Sequence, residues 1–281
     1  MSQYSTLTVP TQHVDVKGIE FAYRRFGKTG GLPLVFFNYF TGNLDNWDPA
    51  LLDPLSQDRE LIIFNNKGVA GSEGVPPGTI AEIAKDARDF IAALGLKKID
   101  IFGFSMGSYV AQQVAIDQPE LVNRIILAGS GPRGGEGLET FSPEIWALFN
   151  KQYNAPDELL LDVFFSPTAS SQKAGWDYLN RVRSRAEKDS AHGDPVIPAQ
   201  VAAIGEWGKK CEGSFAYLKE IIHPVLLLSG KNDLVFPTVN AFTLQQHLPD
   251  AKLLIYPDSN HGSIYQFQED VILQVNTFLN K

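Results

Sequence analysis

A short apolar run, Ile99-Asp100-Ile101-Phe102, passes into Gly103-Phe104-Ser105-Met106-Gly107, and Tyr109, Val110, Gln112, Gln113 and Val114 then continue with helical character. Glycine, serine and glycine at alternate positions between a strand and a helix mark a sharp turn. Such a turn forces its central residue into a strained backbone conformation and lifts that side chain clear of the sheet. Small residues are needed at 103 and 107 because the strand and helix backbones pass too closely for a Cβ. Ser105 then stands at a helix N-terminus, whose free N–H groups favour nearby negative charge. These five residues alone fit a plain turn in any doubly wound sheet equally well, so the rest of the chain decides between the two readings.

Strands and helices alternate on both sides of this turn, the pattern of a mostly parallel sheet flanked by helices. His13–Lys17 and Ile19–Phe26 read as a hairpin joined at Gly18, and Leu34–Asn38, Glu60–Asn65, Lys98–Phe104 and Val122–Ala128 read as later strands. Asp48-Pro49 predicts a capped helix to about Leu55. Thr79 caps another, whose apolar positions Ile80, Ile83, Ala84, Ala87, Phe90, Ile91 and Leu94 keep the helical period up to Gly95. From Gly129 to about Ile222 the alternation fails. Amphipathic pieces there, at Glu144–Tyr153, Ala174–Glu187 and Pro198–Trp207, predict a helical insert, because so long a segment in a compact domain needs structure of its own. The β/α pattern resumes with His223–Ser229, a helix near Val239–His247, the strand Ala251–Tyr256 and a last helix near Ile264–Leu279.

Composition narrows the function classes. At 281 residues, with 44% hydrophobic and 20% charged side chains, a large core is available. A net charge of −8 argues against nucleic-acid partners and gives an anionic substrate no general attraction. Cys211 is the sole cysteine, so no intrachain disulfide and no thiolate metal site is expected, and the thiol reads as incidental. Met1–Val9 lacks a signal-peptide pattern, and no apolar run nears the about 20 residues of a membrane helix. The expectation is a cytoplasmic protein with a small-molecule substrate, no membrane partner and an oligomeric state that the sequence leaves open.

A serine hydroxyl becomes a competent nucleophile only when a base takes its proton and a third group holds that base. Of the five histidines, His261 alone follows a late strand end, in Asp258-Ser259-Asn260-His261-Gly262. Gly230-Lys231-Asn232-Asp233-Leu234-Val235-Phe236-Pro237 follows another strand and carries Asp233. Together with Gly103–Gly107, these segments make the chain resemble the α/β-hydrolase superfamily, in the capped branch of carboxylesterases, proline iminopeptidases, cofactor-free haloperoxidases and carbon–carbon bond hydrolases. The likeness covers nearly the whole length outside the insert.

That resemblance implies an α/β fold with a mostly parallel, doubly wound eight-stranded sheet and a helical cap inserted after the sixth strand. The core is then 1–130 and 222–281, and the cap 131–221. The family order of nucleophile, acid and histidine implies Ser105, Asp233 and His261 as catalytic residues, with no cofactor and no metal. The other acid position used in the family, after Ala128, holds no carboxylate until Glu136. The backbone N–H groups of Phe40 and Met106 are implied as the oxyanion donors. Two segments depart from the family pattern. Asn38-Tyr39 stands where relatives carry His-Gly, and Asn65-Asn66-Lys67-Gly68-Val69-Ala70-Gly71-Ser72 replaces a charged Asp-x-Arg-Gly-x-Gly-x-Ser segment. The second reads as a structural support beneath the oxyanion loop.

Tyr39, Trp146, Phe149 and Trp207 are the candidate pocket residues, with Tyr39, Phe40 and Met106 as its floor. Phe164, Phe165, Trp176 and Tyr178 are further aromatics of the insert, any one of which also suits plain packing. The expected activity is hydrolysis of an ester, thioester or lactone of a mainly apolar small molecule through an acyl-enzyme. Amide cleavage, perhydrolysis and carbon–carbon hydrolysis use the same three side chains, and a ligand-binding relative without turnover is the alternative from another class.

Overall fold

The computed structural model describes residues 5–210, 212–213 and 215–281; Cys211 and residues 1–4 lie outside these. The hairpin forms as β1 (Gln12–Val16) and β2 (Ile19–Gly27), turning at Lys17 and Gly18. β3 (Leu34–Phe37), β4 (Glu60–Phe64), β5 (Ile99–Phe104), β6 (Val122–Ala128), β7 (Val225–Gly230) and β8 (Ala251–Tyr256) complete an eight-stranded sheet in the order β1-β2-β4-β3-β5-β6-β7-β8. β2 runs antiparallel to β1 and β4, and every later pair is parallel. The expected mostly parallel, doubly wound sheet is therefore the fold.

The buried strands read as unbroken apolar runs because both of their faces are covered. Alternate residues feed separate cores. Val35, Phe37, Ile62, Phe64, Ile99 and Ile101 face one side, where α2 (Ile80–Ala93) and α3 (Met106–Asp117) pack. Leu34, Phe36, Leu61, Ile63, Phe102 and Phe104 face the other, against α1 (Pro49–Ser56) and the C-terminal helices. α2 buries Ile80, Ile83, Ala84, Ala87, Phe90 and Ile91, and Thr79 caps it by accepting from the Glu82 N–H at 3.2 Å.

Between β6 and β7 lie α4 (Pro143–Phe149), α5 (Leu159–Phe164), α6 (Ala169–Arg183) and α7 (Val196–Gly208). After β7 come α8 (Val239–His247), α9 (Ser263–Gln266) and α10 (Gln268–Leu279). The expected single last helix is thus two. The backbone at Phe267 leaves the helical region (φ −114°, ψ 36°), and its ring stacks on Tyr256 at 5.0 Å. Among the described residues, no helix is long and apolar enough to cross a membrane.

Several polar contacts tie the insert to the core, and two groups of them hold the segments that follow β3 and β4. Arg181 of α6 grips Asp48 with two hydrogen bonds of 2.8 and 2.7 Å, and the Tyr178 hydroxyl donates to the Asn46 carbonyl at 2.9 Å. Further along, the Asp189 carboxylate accepts from the Asn65 side-chain amide at 2.6 Å and the Gly71 N–H at 3.2 Å. Its own N–H donates to Asp45, which pairs with the buried Arg24 guanidinium at 2.7 Å. Where the family resemblance implies a carboxylate at 65, one thus arrives from the insert, while Asn65 Oδ1 accepts from the Leu44 N–H at 3.0 Å.

Asp48 does two jobs. It caps α1, accepting from the Ala50 N–H at 2.9 Å, and it pairs with Arg181 while itself fully buried. Asp48→Ala is expected to destabilise the fold by about 2–4 kcal/mol in urea unfolding, from the lost cap and the orphaned guanidinium. Asp48→Asn, which retains the capping oxygen, should recover about 1 kcal/mol of that loss. A measured loss below about 0.5 kcal/mol for Asp48→Ala would remove the pair's structural role.

Candidate active site

β5 ends at Phe104 and α3 begins at Met106, so the whole reversal falls on Ser105, at φ 54° and ψ −125°. Few L-residues occupy that region, and one persists there only where the surroundings over-determine it. The two glycines supply that constraint. A Cβ at Gly103 would lie 2.6 Å from the Gly107 carbonyl oxygen, and one at Gly107 would lie 2.0 Å from that of Phe37. The start of α3 is therefore pressed against the end of β3, beside the loop that follows it. Ser105 makes no capping hydrogen bond with its side chain, so its hydroxyl is not consumed by the helix it opens.

Asp233 and His261 come together from the loops after β7 and β8. Asp233 Oδ2 lies 2.8 Å from His261 Nδ1, with both side chains buried. The other carboxylate oxygen accepts from the Val235 and Phe236 N–H groups, each at 2.9 Å. Asn260 fixes the same loop, its Oδ1 accepting from the Leu234 N–H at 2.7 Å. Phe104, Phe164 and Phe236 surround the imidazole with ring centroids 5.2, 6.0 and 5.1 Å away. The ring is thus locked, and Nε2 is buried without a hydrogen-bond partner among the described residues. Ser105 and His261 line one cavity of about 440 Å³. No hydrogen bond joins them in this resting arrangement; catalytic contacts commonly tighten only around substrate.

The loop after β3 borders the same cavity through Tyr39, Phe40 and Thr41. The Asn38 side-chain amide anchors it on the Phe64 carbonyl at 2.7 Å, and the Gly42 N–H closes a turn onto the Tyr39 carbonyl at 3.0 Å. The amides of Phe40 and Met106 donate to no protein acceptor among the described residues. Tyr39, at the position where the family resemblance implies glycine, is accommodated by aromatic packing, edge-on to Phe104 and Phe164 at 5.3 Å each. Burial pushes its phenol up, so it stays neutral.

Trp146 and Phe149 of α4 border the cavity, with Phe141 beside them. Leu159, Leu160, Val163 and Phe164 of α5 also line it, in a segment whose sequence pattern predicts no helix. Trp207 does not border the cavity. α7 begins at Val196, and at roughly 100° per residue its cavity face is Ile197, Val201 and Ile204. Gln200, Ala203 and Trp207 fall on the neighbouring face, which is buried, with Trp207 towards α3. There Trp207 stacks on Tyr109 at 5.1 Å beneath the Arg133 guanidinium at 4.7 Å. Met106 likewise sends its side chain into the core rather than the cavity floor. Of the other aromatics in the insert, Phe165 and Tyr178 are buried in packing and Trp176 is 42% exposed beside Arg183.

No Lys, Arg, Asp or Glu side chain is among those bordering the cavity, and His192 is the one titratable group there besides His261 and Tyr39. Among the described residues, no three His, Cys, Asp or Glu side chains are grouped to hold a metal ion.

A parallel sheet with a strained strand-to-helix turn and a late acid–histidine pair beside it defines a hydrolase scaffold of the α/β type. The chain belongs to the α/β hydrolase fold family, whose model matches residues 33–267. It is similar to the pimeloyl-(acyl-carrier protein) methyl ester esterase of Nitrosomonas europaea, 28% identical over 87% of this chain and 94% of that protein. A poly(3-hydroxyalkanoate) depolymerase of Ectopseudomonas oleovorans is 27% identical over 89% of this chain and 85% of its own. Among solved structures, an alpha/beta hydrolase fold protein from Chitinophaga pinensis superposes with a TM-score of 0.93 at 39% identity, covering 99% of this chain and 100% of that one.

Proposed function

We propose that this chain is a serine hydrolase that cleaves uncharged esters with a mainly apolar acyl group. The observation that carries the reading is the His261 imidazole, held by Asp233 at 2.8 Å on one side and bare on the other, beside the cavity that Ser105 enters on its strained turn. Ser105 Oγ attacks the ester carbonyl while His261 Nε2 takes its proton. The amides of Phe40 and Met106 receive the oxyanion, the C–O bond breaks, and His261 returns the proton to the leaving alkoxide. Water, deprotonated by the same nitrogen, then attacks the acyl-enzyme and releases the carboxylic acid with Ser105 restored. Asp233 holds the Nδ1–H tautomer and stabilises the imidazolium at each step.

The segment 131–221 serves as the cap that selects the substrate. Its walls favour apolar groups and supply no cation to an acid-terminated acyl chain, which would enter the cavity at a desolvation cost. The esterase and depolymerase named among the relatives are consistent with ester cleavage, and the preference for it over the other reactions open to these residues rests on the apolar, uncharged cavity.

A panel of p-nitrophenyl esters tests this. From acetate upward, kcat/KM is expected to rise about three- to fourfold per methylene until the cavity is filled. The p-nitrophenyl monoester of succinic acid should run about 100-fold below the butyrate. Equal rates for those two would remove the neutral-acyl assignment. A fluorophosphonate probe separates a working hydrolase from a ligand-binding relative, because only the former labels at Ser105.

A further inference from the structure

The insert reaches the oxyanion loop through Gln200, a side chain outside the mechanism above. It is 2% exposed, lies on the buried face of α7 that also carries Ala203 and Trp207, and its Oε1 accepts from the Thr41 N–H at 2.6 Å. We propose that Gln200 is a positioning residue that sets the Phe40 amide for the oxyanion, so that a seated insert is part of the catalytic machinery. The inference rests on the serine-hydrolase reading.

The argument follows two consecutive peptide planes. In the plane joining Phe40 and Thr41, the N–H is held by Gln200 and the carbonyl accepts from the Thr41 hydroxyl at 2.7 Å. In the plane joining Tyr39 and Phe40, the carbonyl accepts from the Gly42 N–H at 3.0 Å. That bond turns the Phe40 N–H to the opposite side, and it has no protein acceptor among the described residues. Both planes meet at Phe40, so fixing them fixes its backbone dihedrals and the direction of its N–H. Thr41 is the exposed point of this arrangement. It sits at φ 58°, where a β-branched residue is an outlier, and needs an external restraint to remain. Gln200 supplies that restraint. Without the acceptor, Thr41 relaxes towards negative φ, the shared plane turns and the Phe40 N–H leaves its aim.

Gln200→Met keeps the length and removes the acceptor. With p-nitrophenyl butyrate, kcat is expected to fall about 10- to 100-fold with KM changed by less than about twofold. Affinity for an alkylboronic acid, which forms a tetrahedral adduct on Ser105, should fall by the same factor, while affinity for butanol, which brings no anionic oxygen, does not. A double-mutant cycle separates positioning from packing. Glycine accepts φ near 58° without steric cost, so in a Thr41→Gly background Gln200→Met should lower kcat less than about threefold. Gln200→Ala, which cannot overpack, is read in the same way should the methionine variant fail to fold.

An unchanged kcat and boronate affinity in the Gln200 variants would overturn the proposal, as would a loss wholly in KM or equal losses in both backgrounds. If Ser105→Ala retains full activity, the parent reading fails instead. If Ser105→Ala is dead and Gln200→Met is fully active, only this inference fails.

Discussion

Replacing Ser105 with alanine is expected to lower kcat by about 10⁴–10⁶-fold for any ester the native chain hydrolyses. The size follows from what is left behind. His261 retains Asp233 and the amides of Phe40 and Met106 keep their places, yet no oxygen is positioned to bond with the carbonyl carbon. Folding should be untouched. The Ser105 side chain makes no capping bond to α3, and alanine accepts the same backbone at a similar cost because the strain comes from carrying any Cβ at φ 54°. Melting should therefore shift by less than about 2 °C, and butyrate should still bind. Ser105→Gly relieves the strained backbone and is expected to be equally inactive but more stable, by about 1 kcal/mol. Loss of fluorophosphonate labelling in both variants completes the test. A Ser105→Ala protein keeping more than about one hundredth of its activity would place the nucleophile elsewhere.

The readability of these parts in the sequence follows their physics. Parallel strands with both faces covered leave continuous apolar runs, so β3 to β7 appear at nearly their full extent, and Gly103 and Gly107 announce the turn because no other residue fits. Asp233 and His261 were reachable through the order in which strand ends supply them. The insert resisted for three reasons. α5 is only six residues long, too short to show a helical period, although Pro156 and Pro167 bracket its apolar run. α7 starts two residues before the expected Pro198, and the face each residue presents depends on how the helix sits against the sheet, which composition does not state. That moved Trp207 from the cavity to the core. Gln200 and Asp189 were invisible because each acts through a backbone or amide partner more than 100 positions away, Thr41 for the one and Asn65 and Gly71 for the other. A glutamine on an amphipathic helix carries no local sign of such work.

Asp233→Asn separates a group that merely holds the imidazole from one that dictates its tautomer. In the native chain one carboxylate oxygen is occupied by the Val235 and Phe236 N–H groups, so the other alone faces His261 Nδ1. An asparagine at 233 keeps its oxygen on those two donors, because turning its NH₂ towards them would set donor against donor. The NH₂ therefore points at Nδ1, which must then accept. The ring proton moves to Nε2, the nitrogen that takes a proton from Ser105 in the proposed mechanism. The expected result is a fall in kcat of about 10⁴-fold with the fold, the cavity and KM nearly unchanged. The downfield proton resonance of the hydrogen-bonded Nδ1–H should disappear in the same variant. A loss of less than about tenfold, or a variant that keeps that resonance, would mean that Asp233 does not set the tautomer on which proton transfer from Ser105 depends.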